Sequence, residues 1–271
     1  MKLRFRTGAL IASAALMAAA PASAHRAWFL PSTFTLSGDE QWITIDGAIS
    51  NDLFFPNHHA LSLDSVTITA PDGTTSTPQD GWSGKFRSTF DLKLDKQGTY
   101  RIASGGGSYF ARWEENGEGQ RRRGSLEQLA AEGLVDNPDV TLSRFNRRVE
   151  TYATLGAPTE EVFTSAGEGI ELQPLSHPND IYTGEQATFG FLLDGEAAAG
   201  LEVEIVRGND RYRDDPETLT LTTDENGEIS FTLEQAGRYW LETGSRGETT
   251  LNGKTIEASS GYVLTFEALP L

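Results

Sequence analysis

The sequence predicts a mainly β protein built of two β-sandwich-type domains, the second immunoglobulin-like. Three observations carry this. Apolar residues alternate with polar ones in short runs, Gly-, Pro-, Asn- and Asp-containing turn signals separate the runs, and helical spacing is convincing in one short stretch only.

In chain order, the segments 41–49, 65–70, 85–94 and 99–104 have strand character. Pro71-Asp72-Gly73 closes one hairpin, and Gln97-Gly98 opens the strand that follows. Gly105-Gly106-Gly107 leads into Tyr109-Phe110 and suits a strand or a bulge, whereas Arg121-Arg122-Arg123 sits among glycines and reads as a solvated loop. One short helix is predicted over 125–134. Ser125 can cap the amide of Gln128, Leu126, Leu129 and Ala130 make one apolar face, and Gly133 ends it.

From Glu168 onward the spacing becomes regular, with strands over 170–175, 186–193, 201–207, 218–223, 228–233, 237–243 and 262–267. Short strands joined by turns such as Asp194-Gly195 and Asn226-Gly227 are the pattern of an immunoglobulin-like sandwich. The expected organisation is a β-rich domain over 25–157, a linker over 158–169 where Gly, Pro, Ser and Glu crowd together, and the sandwich over 170–271.

The segment 1–24 reads as a secretory signal: Lys2, Arg4 and Arg6, an apolar stretch over 9–20, then Pro21-Ala22-Ser23-Ala24. Cleavage after Ala24 makes His25 the first residue of an exported protein, placed in the periplasm. No later stretch is long and apolar enough to form a membrane span. Of 22 Lys plus Arg and 39 Asp plus Glu, the signal holds three cations, so the processed chain carries 19 cations against 39 anions, a formal charge of −20. Such a surface repels nucleic acid and attracts cations. There is no cysteine, so disulfides and thiolate metal sites are excluded.

The chain has four histidines, His25, His58, His59 and His177. His25 stands at the expected mature terminus, while the other three lie in loops: His58-His59 after Phe54-Phe55-Pro56-Asn57, and His177 in Ser176-His177-Pro178-Asn179-Asp180. A terminal histidine can chelate a metal through its α-amine and its ring Nδ1, and one further imidazole completes a planar set of three nitrogens, the arrangement called a histidine brace. Such sites favour Cu(II) and then Ni(II). The ligands must be neutral, so binding weakens below about pH 6. In a strand, His58 and His59 point to opposite faces, and His58, nearer the aromatic loop, is the preferred ligand.

Other constellations point elsewhere less well. Asp214-Asp215 and Asp224-Glu225-Asn226-Gly227 lack the spacing of a calcium loop, and the second reads as a hairpin turn. No Gly-x-Ser-x-Gly elbow and no Gly-rich phosphate loop ahead of a helix is found.

The segment Ala24-His25-Arg26-Ala27-Trp28-Phe29-Leu30-Pro31-Ser32 resembles the mature opening of the DUF4198 proteins, the NikM-like group of exported bacterial proteins. Ser50-Asn51-Asp52-Leu53-Phe54-Phe55, Ala70-Pro71-Asp72-Gly73, Tyr100-Arg101-Ile102-Ala103, His177-Pro178-Asn179-Asp180, Phe191-Leu192-Leu193-Asp194-Gly195 and Thr223-Asp224-Glu225-Asn226-Gly227 resemble further segments of that group. The resemblance implies a periplasmic protein associated with uptake of nickel, cobalt or a related metal. It also implies action beside a TonB-dependent receptor or an inner-membrane transporter, and it matches His25, His58 and His177, with no counterpart for His59.

The expected function is therefore a non-enzymatic transition-metal-binding protein using Cu(II) or Ni(II), which requires His25, His58 and His177 to converge. One alternative is a copper-dependent polysaccharide oxidase, which would need a flat aromatic face such as Trp82, Tyr109 and Trp113 could supply. Another is a metal-free β-sandwich module that binds a protein partner.

Overall fold

The computed structural model describes residues 25–271, and the predicted export signal at 1–24 lies outside the described residues. Among the described residues the chain is mainly β, with one α-helix and two 3-10 turns. Strands β1 (Arg26–Pro31), β2 (Gln41–Ser50), β3 (His59–Ala60), β4 (Gln79–Ser83) and β5 (Ser88–Leu94) form a first sheet. Its order is β1-β2-β5-β4, with β3 also paired to β2. Alternation along β5, where Ser88, Phe90, Leu92 and Leu94 are buried, turns one face of this sheet inward.

The centre of the molecule is a sheet of eleven strands. In the first region it takes in β6 (Gly98–Glu115), β7 (Glu118–Gly124) and β8 (Thr141–Leu155). In the second region the chain forms β9 (Ile170–Pro174), β10 (Gln186–Leu193), β11 (Glu202–Arg207), β12 (Leu219–Thr222), β13 (Glu228–Thr232), β14 (Gly237–Leu251) and β15 (Lys254–Leu269). The order across the large sheet is β12-β11-β14-β15-β8-β6, continued by the short strands Val66–Thr69 and Thr75–Ser76. β7 pairs with β6, and the short strands Ile181–Tyr182 and Thr35–Leu36 pair with β15 and β8. A four-stranded sheet of β9, β10, β13 and Glu196–Ala197 completes the second region.

The two regions meet within one sheet, because β8 of the first region runs parallel to β15 of the second, with Val149 opposite Val263. In the middle of the large sheet both faces are buried. Trp240, Val263, Val149 and Val206 join Trp28, Ile43, Ile45 and Phe90 in a core beneath the first sheet. Their neighbours Leu241, Leu264 and Ile205 join Phe189, Phe191, Ile229 and Phe231 in a second core beneath the four-stranded sheet. A strand buried on both sides has no polar face to alternate with, which explains the continuous apolar run Tyr262-Val263-Leu264. The segment 158–169 is also packed: it forms the 3-10 turn Glu161–Phe163, Val162 is buried, and Phe163 packs against the second core.

Beyond these cores the long strands continue as two hairpin arms. Their tips are Asn116-Gly117 and Asn252-Gly253, all four residues with positive φ, as a tight two-residue turn requires. The helix α1 (Leu126–Ala131) covers one face of the arms through Leu129, Ala111, Leu142 and Ile256. Its cap is the predicted one: Ser125 Oγ accepts from the Gln128 amide and Gln128 Oε1 from the Ser125 amide.

Several sequence expectations need correction. The strand expected over 99–104 runs on to Glu115, those expected over 237–243 and 262–267 extend to Gly237–Leu251 and Lys254–Leu269, the stretch 141–155 forms a further strand of 15 residues, and Arg121-Arg122-Arg123 lies on β7 and not in a loop. Gly105 allows β6 to continue. At φ 121° a Cβ there would stand 1.9 Å from the Arg147 carbonyl oxygen, so the bend against β8 admits only glycine.

Candidate metal centre

Three of the four histidines gather at one end of β2. His25 precedes β1, in which Arg26 stands opposite Ser50, the last residue of β2. On the other side of β2, His59 of β3 stands opposite Ile49. The two flanking strands thus carry their histidines to the same strand end. The rings of His25 and His58 stack with centroids 3.8 Å apart and an interplanar angle of 19°, and the His59 ring meets His58 edge-on at 5.5 Å.

The loop 51–58 that presents His58 is fixed from several directions. Trp28 Nε1 donates to Ser50 Oγ at 2.7 Å, and Ser50 Oγ donates to the Asp52 carbonyl at 2.6 Å. Asn57 closes the loop on itself: its Nδ2 donates to Asp52 Oδ2 and its Oδ1 accepts from the Asn51 amide. Phe54 adopts φ 61° and meets the Trp28 ring edge-on.

The deepest support comes from the second region. Asp210, in the 3-10 turn Asp210–Tyr212, accepts the Leu53 amide through Oδ1 at 2.9 Å and pairs through Oδ2 with Arg26 Nη1 at 2.6 Å. One buried carboxylate therefore ties the residue after His25 to the loop before His58. The Trp240 indole adds a bond to the Ala27 carbonyl, and Arg26 lies over the Trp240 ring. No sequence pattern links Arg26 to Asp210 across 184 positions, so only the folded chain reveals this clamp.

The His58 imidazole titrates below its ordinary value, because of desolvation first and then the positive charges that His25 and His59 carry when protonated. It is therefore neutral, and able to ligate, further into the acid range than a free histidine. The stacked rings set one condition. Ring lone pairs lie in the ring planes, so two nearly parallel rings direct them side by side and not at one point. Among the described residues no group of three or more His, Asp or Glu side chains stands in metal-holding geometry. A shared ion needs His25, which is exposed, to turn about its side-chain torsions.

His177 does not join this cluster, contrary to the expected convergence. Its Nδ1 accepts from the Asn179 amide at 3.1 Å, which places the proton on Nε2, 2.9 Å from Thr99 Oγ1. Asn179 in turn donates to Phe34 O and Thr154 Oγ1, and the ring packs edge-on against Phe163. Phe34 follows the far end of β1, whose six residues at about 3.3 Å each separate the two places by about 20 Å. Burial holds the His177 pKa below the ordinary value, partly offset by Thr159, Asp180 and Glu160. Both ring nitrogens are engaged, and the side chain serves the loop that carries it.

The aromatic residues considered for a sugar-binding face are also apart. Tyr109 and Trp113 pack under α1, whereas Trp82 stands exposed on β4 of the first sheet. No helix among the described residues is long and apolar enough to cross a membrane.

No curated protein sequence matches the chain. Among solved structures, the chain is similar to a DUF4785 family protein from Legionella pneumophila at 8% identity and a TM-score of 0.24, covering 79% of this chain and 50% of that one. It is also similar to the D0-D1 domain of intimin, at 11% identity and a TM-score of 0.22 over 88% of this chain and 96% of that one. An alpha-2-macroglobulin from Escherichia coli matches at 14% identity and a TM-score of 0.21, over 90% of this chain and 30% of that one. The chain thus spans half the length of the Legionella protein and less than a third of the macroglobulin. Residues 22–247 match the model of DUF4198, described as a domain of unknown function, and the chain belongs to that family.

Proposed function

We propose that this is an exported, periplasmic transition-metal-binding protein that takes up Cu(II) or Ni(II) as cargo at its processed N-terminus. In this reading, cleavage after Ala24 frees the α-amine of His25, the amine and His25 Nδ1 form one chelate, and His58 supplies the third nitrogen. His59 stands beside them as the alternative imidazole. The observation that carries the reading is the gathering of His25, His58 and His59 at the end of β2, although the first two are 33 positions apart in sequence. The high negative charge favours approach of a cation, and the lowered His58 pKa favours a neutral ligand. His177 has no part in the site. The resemblance to NikM-like proteins points to delivery of the ion to a TonB-dependent receptor or an inner-membrane transporter.

The experiment is a Cu(II) and Ni(II) titration of protein that begins at His25, beside protein with one extra residue ahead of it. The extra residue turns the amine into an amide, so affinity should fall by about 100-fold or more, as loss of a ligand requires. Equal affinity in the two forms would refute the terminal chelate. Mass spectrometry of the exported protein checks the cleavage point.

A further inference from the structure

A cavity lies against the loop that presents His58. Its volume is about 400 Å³, within the usual range of small-ligand sites. One wall is apolar, formed by Leu53, Phe54 and Phe55. The opposite wall comes from the second region and carries Arg207, Arg211, Arg238 and Tyr212. Gly208 forms part of the boundary, where a Cβ would stand 2.7 Å from the Phe54 ring.

The charge of this cavity is unlike that of its surroundings. The processed chain has twice as many carboxylates as cations, and among the described residues ten ion pairs are formed, yet none includes Arg207, Arg211 or Arg238. Glu267 is the one carboxylate among the lining residues against three arginines, a formal balance of two positive charges, and Arg238 Nη2 also donates to the Ser32 carbonyl at 3.5 Å. Arg211 is also held between aromatic rings. Its guanidinium lies 3.8 Å from the centroid of the Phe55 ring and 5.4 Å from that of Tyr212. Stacking of this kind covers part of each ring and leaves the N–H edges of the guanidinium free for a carboxylate. Phe55 is 43% exposed and Tyr212 77% exposed, so each keeps aromatic surface that Arg211 does not cover.

We propose that this cavity binds a small aromatic dicarboxylate: the cations match two carboxylates, and Phe55 and Tyr212 receive the ring. Arg211 is the central contact, stacked and able to make a bidentate pair, with Arg207 and Arg238 at its sides. The site is separate from the proposed metal centre, and its occupancy can be measured without metal.

The test is isothermal titration of metal-free protein, starting at His25, with phthalate as the probe and dimethyl phthalate as the uncharged counterpart. Phthalate should bind, weaken as salt rises, and exceed dimethyl phthalate by about tenfold or more in affinity. Arg211→Ala combined with Arg238→Ala should lower phthalate affinity by about tenfold or more, while circular dichroism reports on the fold of the variant. Arg211→Lys keeps the charge but not the planar fork, and should fall between the two. Equal binding of the two probes, no phthalate binding, or a folded double variant that binds as well as the parent would overturn the proposal. Loss of Cu(II) binding in His58→Ala leaves the result of this titration independent.

Discussion

The two histidine environments look alike in sequence and differ in what their nitrogens do. His58 follows Pro56-Asn57 and His177 precedes Pro178-Asn179, each in a loop between strands. His177 is half-buried, and its two ring nitrogens are engaged by Asn179 and Thr99. His58 is exposed, and its neighbours are two other imidazoles. The comparison teaches that an Asn beside a His-bearing loop has two uses. Asn179 closes a hydrogen-bonded knot around His177, whereas Asn57 bonds its own loop and leaves His58 out of the network.

Substitutions can break this contrast. The largest expected effect is on metal affinity: His58→Ala should weaken Cu(II) binding by about 100-fold, as loss of a ligand requires, and His177→Ala by less than about twofold. Calorimetric titration of both variants checks this, and equal losses would place the two histidines in one site after all. Next is the clamp. Asp210→Ala removes the partner of a mostly buried Arg26 and of the Leu53 amide, and should lower unfolding free energy by about 2–3 kcal/mol in urea denaturation. It should also weaken metal binding, because both histidine-bearing segments lose their common anchor.

His177→Ala should cost about 1–2 kcal/mol of stability, through the unmade bonds of Thr99 and the Asn179 amide. The smallest effect is in pH dependence. The folded His177 pKa lies below that of the unfolded chain, so the unfolded state binds more protons as pH falls through about 6.5. This contribution is complete above that value, declines as pH drops toward the folded pKa, and levels off below it. His58 adds to the same slope in the metal-free protein. In His177→Ala the slope of stability against pH between about 5 and 7 should therefore be shallower, as denaturation at several pH values would show.

What was legible in the sequence follows from which faces are buried. Strands with one covered face, such as Gln41–Ser50 and Gln186–Leu193, alternate over much of their length and match the expected bounds nearly residue for residue. The long strands were not, because each passes from a core buried on both sides to an arm covered on one side only. Thr141–Leu155 begins with exposed and half-exposed residues such as Thr141 and Arg144 and ends in a fully buried run, so no single period describes it. Arg121-Arg122-Arg123 looks like a loop for the same reason: on an arm, Arg122 pairs with Glu132 and Arg123 lies over Phe110, which needs no apolar alternation. Of the candidate site, the histidines were legible as residue types at special positions. Which of them meet depends on pairings such as Ile49 with His59, set by sheet register that short-range spacing does not encode.

The parallel pairing of β8 with β15 also bears on how the chain reaches its native state. Thr151 donates to the Thr265 carbonyl across 114 positions, so the middle of the large sheet stays incomplete until a late segment arrives. Loop closure over such a span slows the search for native contacts and prolongs exposure of unpaired strand edges, so refolding should be slow and sensitive to concentration.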